Sequence, residues 1–294
     1  MTRERLYSPK VVKQLLDFFG FKFSKGLGQN FLIDGNVVRA ISEGSGINKE
    51  VSVLEVGPGF GTLTEELLMN AKKVVSVEID ERLNIVLNQT LNEFTNFKLV
   101  NADILKIDLK KLTQEEFGDE KFKVVANLPY YITTPIISRF LEEELNLSSM
   151  TFMVQKEVAD RILASPGNKQ YGSLTVFVNF YSKPSMVIKA PKSVFIPQPK
   201  VDSVVIKLEM KEELPECNKE LFFKIVHSGF MQRRKNILNS LTSNNSLNLT
   251  KEEMAKVLEE LNLSSNLRAE DLSLEDYINI TNKIDLKFIR KKKG

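Results

Sequence analysis

One cysteine, Cys217, one histidine, His227, and no tryptophan stand in this chain of 294 residues, and each scarcity narrows the chemistry. A single thiol cannot close an internal disulfide, which fits a reducing compartment. One His and one Cys fall short of a His/Cys zinc site, so no metal is expected. A Ser-His-Asp or Cys-His nucleophile would have to recruit His227, which lies in the apolar-rich stretch 221–231 and reads as structural or as facing a bound partner. Whatever reaction the chain performs must therefore run without an imidazole base. No apolar run approaches the ~18 residues of a membrane span. The basic residues of 1–10 are not followed by the apolar core of a signal peptide. The expectation is a cytoplasmic protein with no membrane contact.

What is present is ordinary for a globular chain: 42% hydrophobic and 27% charged residues, which excludes disordered and collagen-like classes. The formal charge of +3 is too small to indicate nucleic-acid binding, but its distribution is uneven. Residues 1–30 carry Arg3, Arg5, Lys10, Lys13, Lys22 and Lys25 against Glu4 and Asp17. Residues 222–236 carry Lys224, Arg233, Arg234 and Lys235 with no acid, and the chain ends in the basic run 290–293. Such clusters can neutralise phosphates, although the terminal run alone reads as a solvated tail.

Between residues 51 and 209, short β-branched runs alternate with helical patterns. Strands are expected at 51–56, 73–79, 97–102, 123–126, 150–154, 174–181 and 201–209, and helices at 62–70, 81–92, 134–145 and 156–164. Thr62 with Glu65 reads as a capping box. Apolar strands separated by helices build a mostly parallel sheet covered on both faces. The last two strands lack a clear helix between them, which predicts an antiparallel end. After Pro215 the pattern is helical only, at 219–231, 234–241, 251–261 and 273–284. Two domains follow: 1–214, an α/β domain with a seven-stranded sheet, and 215–294, a small all-α domain.

The first strand runs into Gly57-Pro58-Gly59-Phe60-Gly61 and then a helix. Glycines there permit a tight turn and close approach of backbone to a ligand at a helix N-terminus. The spacing is not the G-x-G-x-x-G of dinucleotide folds. Glu78 ends the second strand, where an acid can accept both hydroxyls of a ribose. Asp103 follows the third, where it could accept from an adenine amino group. Loop acids at strand ends are common singly; three ligand-type groups on one rim of the sheet point to a nucleoside cofactor site. To this point the residues fit a nicotinamide or a sulfonium cofactor.

The fourth strand ends in Asn127-Leu128-Pro129-Tyr130. The exocyclic nitrogen of adenine is a poor nucleophile because its lone pair is delocalised into the ring. The Asn127 side-chain oxygen and the Leu128 carbonyl can each accept one of its hydrogens and favour a pyramidal nitrogen. Tyr130 offers a face for the base. Catalysis is then positioning plus electrostatics, with no general base.

The chain resembles the ribosomal RNA adenine dimethyltransferase family, the small-subunit enzymes and their antibiotic-resistance relatives. The segments 27–32 (LGQNFL), 55–61 (EVGPGFG), 77–80, 101–103, 127–130 (NLPY), 155–158, 171–174, 195–203 (FIPQPKVDS) and 230–235 (FMQRRK) carry the resemblance through nearly the whole length. It implies a Rossmann-like class I methyltransferase fold using S-adenosyl-L-methionine. Asn30 and Leu32 would close over that cofactor, the glycine turn of Gly57, Gly59 and Gly61 would approach it, and Glu78, Asp103 and Asn127 would complete its contacts. Asn127, Leu128, Pro129, Tyr130 and Phe195 would form the catalytic set, with Phe195 stacking opposite Tyr130; core packing is the other reading of Phe195. Lys25, Lys224, Arg233, Arg234 and Lys235 would hold RNA. The last two motifs resemble the small-subunit branch. The implied substrate is a pair of adjacent adenosines near the 3′ end of small-subunit ribosomal RNA, met in a pre-ribosomal particle by a monomer. The alternatives are a large-subunit resistance methyltransferase, a non-catalytic assembly factor and, from the residues alone, a nicotinamide-dependent oxidoreductase.

Overall fold

A computed structural model of the chain describes residues 4–243, 247 and 249–286; Arg3, the basic run 290–293 and most of the Ser/Asn-rich stretch 243–248 lie outside the described residues. In chain order, α1 Pro9–Phe18, β1 Phe31–Leu32 and α2 Gly35–Ser45 precede β2 Ser52–Val56. Four alternations follow: α3 Thr62–Asn70 and β3 Lys73–Glu78; α4 Glu81–Thr90 and β4 Phe97–Asn101; α5 Leu109–Phe117 and β5 Phe122–Asn127; α6 Thr133–Glu142 and β6 Leu147–Gln155. Next come α7 Lys156–Ile162, α8 Ser173–Tyr181, β7 Ser182–Ala190, β8 Phe195–Ile196 and β9 Ser203–Met210. The chain then runs through α9 Lys219–Met231, α10 Ile237–Thr242, α11 Lys251–Glu260 and α12 Leu274–Ile284.

The expected seven-stranded sheet is present, in the order β4-β3-β2-β5-β6-β9-β7. β4, β3, β2, β5 and β6 are parallel, and β9 joins β6 antiparallel, pairing Gln155 with Ser203. Helices cover both faces, so the central strands read as unbroken apolar runs; every residue of β2 is buried. Local chemistry sets the helix ends. Asp34 caps α2 by accepting from the amides of Asn36 and Val37, and Gly46, at φ 64°, ends it. Lys123 then donates to the carbonyls of Ser45 and Gly46 at 2.8 and 2.9 Å, a cation where the helix dipole is negative.

Three sequence expectations are corrected. Residues 174–181 form helix α8, not a strand: Leu174, Thr175, Val176, Val178, Phe180 and Tyr181 are all buried. A helix buried almost all round has no amphipathic period, and its β-branched and aromatic residues imitate a strand. The strand that completes the sheet is β7 instead, an edge strand whose Lys183, Pro184 and Lys189 blunt an exposed edge and hide the strand signature. Finally, Thr62 makes no capping box. The N-cap of α3 is Gly61, and the Glu65 carboxylate accepts from the Leu6 amide at 2.9 Å.

The chain divides into two compact units, Met1–Ala159 with Pro184–Met210 and Asp160–Lys183 with Lys211–Gly294. The second unit thus takes up 160–183, which the sequence boundary at 214 left with the first. Within it the Arg233 guanidinium donates to the carbonyls of Lys169 and Tyr171 at 2.9 and 3.2 Å, and the buried Tyr277 hydroxyl donates to the Ala269 carbonyl at 2.9 Å.

Gly61 adopts φ 82°, and a Cβ there would lie 3.2 Å from Leu87 and 3.3 Å from Leu91. Gly61→Ala is therefore expected to reduce folding stability by about 1–3 kcal/mol, measured as a lower thermal midpoint; an unchanged midpoint would show that this turn relaxes without strain.

Candidate active site

Because β4, β3, β2 and β5 are parallel neighbours, their carboxyl ends share one rim. The sequence order reverses between β2 and β5, the place where open α/β sheets leave a crevice. A cavity of about 210 Å³ opens there, lined from the Gly57 turn, the ends of β3 to β5 and the strap 27–32. Gly57, Gly59, Glu78, Asp103, Asn127, Leu128, Pro129, Tyr130, Asn30 and Leu32 all line it. The fold therefore gathers most of the residues expected at the cofactor and the base.

Gly57 adopts φ 67° and has no atom within 4 Å of a would-be Cβ, so its bare backbone faces open space. Gly59, at φ 59°, has a different reason: a Cβ would meet the Phe31 ring at 2.8 Å. Gly61 does not line the cavity; it caps α3 and packs on Leu87 and Leu91. The single glycine motif thus leaves open space at one position and packs at two.

The acids differ in environment. Glu78 is buried and its carboxyl is pushed up to about 7 by desolvation, against the opposing hydrogen bonds donated by the Asp80 amide (2.9 Å) and, more weakly, the Gly59 amide (3.4 Å). Glu55, inside β2 and also lining the cavity, is pushed up to about 7 by its burial, against opposing hydrogen bonds from the Ser76 hydroxyl, at 2.6 Å to its Oε2, and from Thr64. Asp103 stays partly exposed and accepts from the Leu105 amide at 2.9 Å. Asp80 caps α4; hydrogen bonds from Arg82 hold its carboxyl below the usual range, outweighing burial, with Gln29 adding a bond of 2.7 Å.

The strap is fastened to the turn that follows β5. Asn127 Nδ2 donates to the Asn30 carbonyl at 3.1 Å, and Asn30 Nδ2 donates to the Gly28 carbonyl at 3.0 Å. Gln29 accepts from the Ser24 amide while donating to Asp80. Since Asn127 uses its amide nitrogen on the strap, its Oδ1 remains for a ligand. Leu128 is anchored by its amide to the Met153 carbonyl at 3.2 Å. Tyr130, half-buried, shares a hydrogen bond of 2.7 Å with the Ser203 hydroxyl.

Phe195 is not brought to the cavity. It pairs with Leu32 across β8 and β1 and is 1% exposed in the core, which is the packing reading of that residue. Among the basic residues, Lys224 is exposed and paired with Glu220 at 2.6 Å, and Arg234 and Lys235 are exposed in the turn before α10. Arg233 is committed to the carbonyls already described and to Glu270 at 3.6 Å, so it fastens the 167–171 loop. Lys25 starts the turn Lys25–Leu27, and its side chain lies outside the described residues.

Sequence reasoning passed over several contributors. Ile79 lines the cavity yet is 48% exposed; an apolar residue set between two acids at a strand end was the available signal. Leu105 lines the same side. Arg139 of α6 donates to the carbonyls of Ile104 and Ile107 and so fixes the loop that carries Asp103. Nothing local marks that arginine, because the contact spans more than thirty residues.

Residues 20–286 match the family described as ribosomal RNA adenine dimethylase. The chain is 49% identical to the ribosomal RNA small subunit methyltransferase A of Clostridium botulinum (strain Kyoto), over 90% of this chain and 95% of the relative. It is 46% identical to the protein of the same name from Alkaliphilus oremlandii, over 93% and 96%. Among solved structures, a dimethyladenosine transferase from Plasmodium falciparum superposes with a TM-score of 0.76 at 28% identity, covering 89% of this chain and 98% of that one. The 23S rRNA methyltransferase ErmE superposes at 0.69, with 28% identity and coverage of 87% and 100%.

The raised Glu55 carboxyl sets a pH test. An acid whose folded pKa exceeds its unfolded one binds its proton more tightly when folded, so stability is full below 4.5 and falls as pH rises to about 7. Glu55→Gln removes that loss. The variant is expected to gain on the wild type by up to ~3 kcal/mol between pH 5 and pH 8, read from denaturant midpoints. A difference independent of pH would place this carboxyl in contact with water.

Proposed function

This chain belongs to the ribosomal RNA adenine dimethylase family, and we propose that it twice methylates N6 of each of two adjacent adenosines near the 3′ end of small-subunit ribosomal RNA. The observation that carries the reading is the fixed Asn127 amide at the cavity: its nitrogen is held by the Asn30 carbonyl, which leaves the oxygen to receive an amino group.

The residues fit S-adenosyl-L-methionine. Gly57 presents bare backbone to open space, and a buried carboxyl, Glu78, stands at the end of β3 where a ribose diol would be met. Asp103 would accept from the purine amino group, with Ile79 and Leu105 against the ring, and Asn30 and Leu32 would close the remaining side. When bound, this cofactor supplies an activated methyl group on a sulfonium.

The protein's own residues then do the rest. Asn127 Oδ1 and the Leu128 carbonyl each accept one N6 hydrogen, drawing the nitrogen out of conjugation and aiming its lone pair along the line of transfer. Pro129 fixes the turn that separates those acceptors from Tyr130. Tyr130 stacks on the adenine and holds it in that line. The proton lost from N6 needs no imidazole, since the amine becomes acidic once alkylated and can pass it to water. Positioning of this kind accounts for much of what an enzyme of this class must supply.

A base within a helix cannot reach such a cavity, so the target adenosine is splayed from its neighbours. Lys25, Lys224, Arg234 and Lys235 would hold surrounding phosphates, contacts that orient without reading sequence; Arg233 would support them through the loop it fastens. The small-subunit reading draws on relatives at 46–49% identity, against 28% for the 23S enzyme. The chain would act as a monomer in the cytoplasm, on a pre-ribosomal particle, with the second unit as its RNA-binding part.

Methyl transfer from labelled S-adenosyl-L-methionine to small subunits lacking the modification tests this. Wild type is expected to yield N6,N6-dimethyladenosine near the 3′ end, and Asn127→Ala to lose about 10²–10³-fold in kcat, as for loss of one preorganised polar contact. Label on naked large-subunit RNA alone would move the chain to the resistance branch, and label on neither would favour a non-catalytic assembly role.

A further inference from the structure

We propose that Ser203 is a positioning residue that holds the Tyr130 ring in place where it meets the target adenine; this rests on the reading of Tyr130 as the stacking face. Tyr130 sits in a single helical turn, Tyr130–Ile132, directly after the acceptors Asn127 and Leu128. A tyrosine ring swings about two side-chain torsions, and its sp³–sp² torsion is broad. Stacking alone would leave the base free to tilt with it. Fixing the far end of the ring arrests the swing about the first torsion. Because hydrogen bonds of a phenol lie near its ring plane, the same bond resists rotation about the second. Among the described residues, the 2.7 Å bond to Ser203 is the one polar contact of the Tyr130 hydroxyl.

Ser203 is suited to serve as an anchor. It is 1% exposed and is the first residue of β9, in register with Gln155 at the end of β6. The tether therefore runs from the catalytic turn to the antiparallel strand, two sheet positions from β5. The preceding residue is fixed from two sides: Asp202 accepts from the Lys192 amide through its carboxylate at 2.9 Å, and from the Lys156 amide through its carbonyl at 3.0 Å. The sequence 199–203 (PKVDS) thus gains a physical account that RNA contact does not require: Asp202 locks the strand entry and Ser203 reaches the ring. The bond also occupies the phenol, so that Tyr130 acts through its face and not as an acid or base.

The test is a double-mutant cycle of Ser203→Ala and Tyr130→Phe, each of which removes the tether and keeps the ring. Transfer to small subunits lacking the modification is measured at saturating RNA, alongside cofactor affinity by calorimetry. Each single variant is expected to lose about 5–10-fold in kcat, the worth of one neutral hydrogen bond, with cofactor affinity unchanged. The double variant should be no slower than the slower single one, since the same bond can be lost only once. Wild-type kcat in Ser203→Ala, or losses that multiply in the double variant, overturns the tether while leaving the methyltransferase reading intact. Should Ser203→Ala fail to fold, Tyr130→Phe decides alone: full kcat overturns the proposal. The reading of function itself stands or falls on the wild-type product, independently of the cycle.

Discussion

The Asn127 side chain has two hydrogen-bonding ends, and the fold commits only one of them. Its nitrogen donates to the Asn30 carbonyl, which fastens the strap over the rim and at the same time turns the oxygen toward the cavity. A carboxamide free to rotate would present donor and acceptor alternately, and an amino group can be received only by the acceptor. Holding the strap and orienting the Asn127 carboxamide are therefore one interaction. The strap is held at further points because that one bond depends on it: Gln29 bridges Ser24 and Asp80, and Asp80 is clamped by Arg82, whose guanidinium also lies 4.6 Å over the Phe21 ring. An error in the strap would be passed straight to Asn127.

The sheet makes this arrangement possible by bringing four carboxyl ends to one edge, and burial then tunes what stands there. Glu55 and Glu78 are both pushed up to about 7, yet their surroundings differ. Glu78 receives backbone amides from both sides of the rim, which aims it; Glu55 is held by the side chains of Ser76 and Thr64 inside the sheet. Asp80, two residues from Glu78, lies on the other side of the same balance, since hydrogen bonds to Arg82 keep it ionised. Neighbouring acids thus divide into one that lines the cavity and one that holds structure.

What could be read from the sequence follows from the range of the forces involved. The parallel strands and their rim residues were legible because strand, glycine turn and acid recur within short segments, and Glu78, Asp103 and Asn127 fall where that pattern puts them. Helix α8 was not, because a segment buried on all sides shows composition without period, and β7 was hidden by the lysines and proline of an edge. Gly61 and Phe195 carry the right identity at the right spacing but pack inward, a distinction made by neighbours distant in sequence. Arg139, Ser203 and Gln29 escaped for the same reason: each acts on the site through a partner that the linear order does not place beside it.

An enzyme that alkylates a weak nucleophile without a general base must obtain its rate from alignment, and alignment is lost through any soft torsion. The site has two that matter, the Asn127 amide and the Tyr130 ring, and each is tied by a single hydrogen bond to a different part of the fold: one to the strap, the other to the antiparallel strand β9. These tethers reach the cavity from distant parts of the sequence, residue 30 and residue 203, so that its geometry is complete only when both the N-terminal segment and the last strand are in place. The scarcity of histidine and the long reach of these contacts are thus connected. With no proton relay to build, the chain spends its polar side chains on holding acceptors and an aromatic face still.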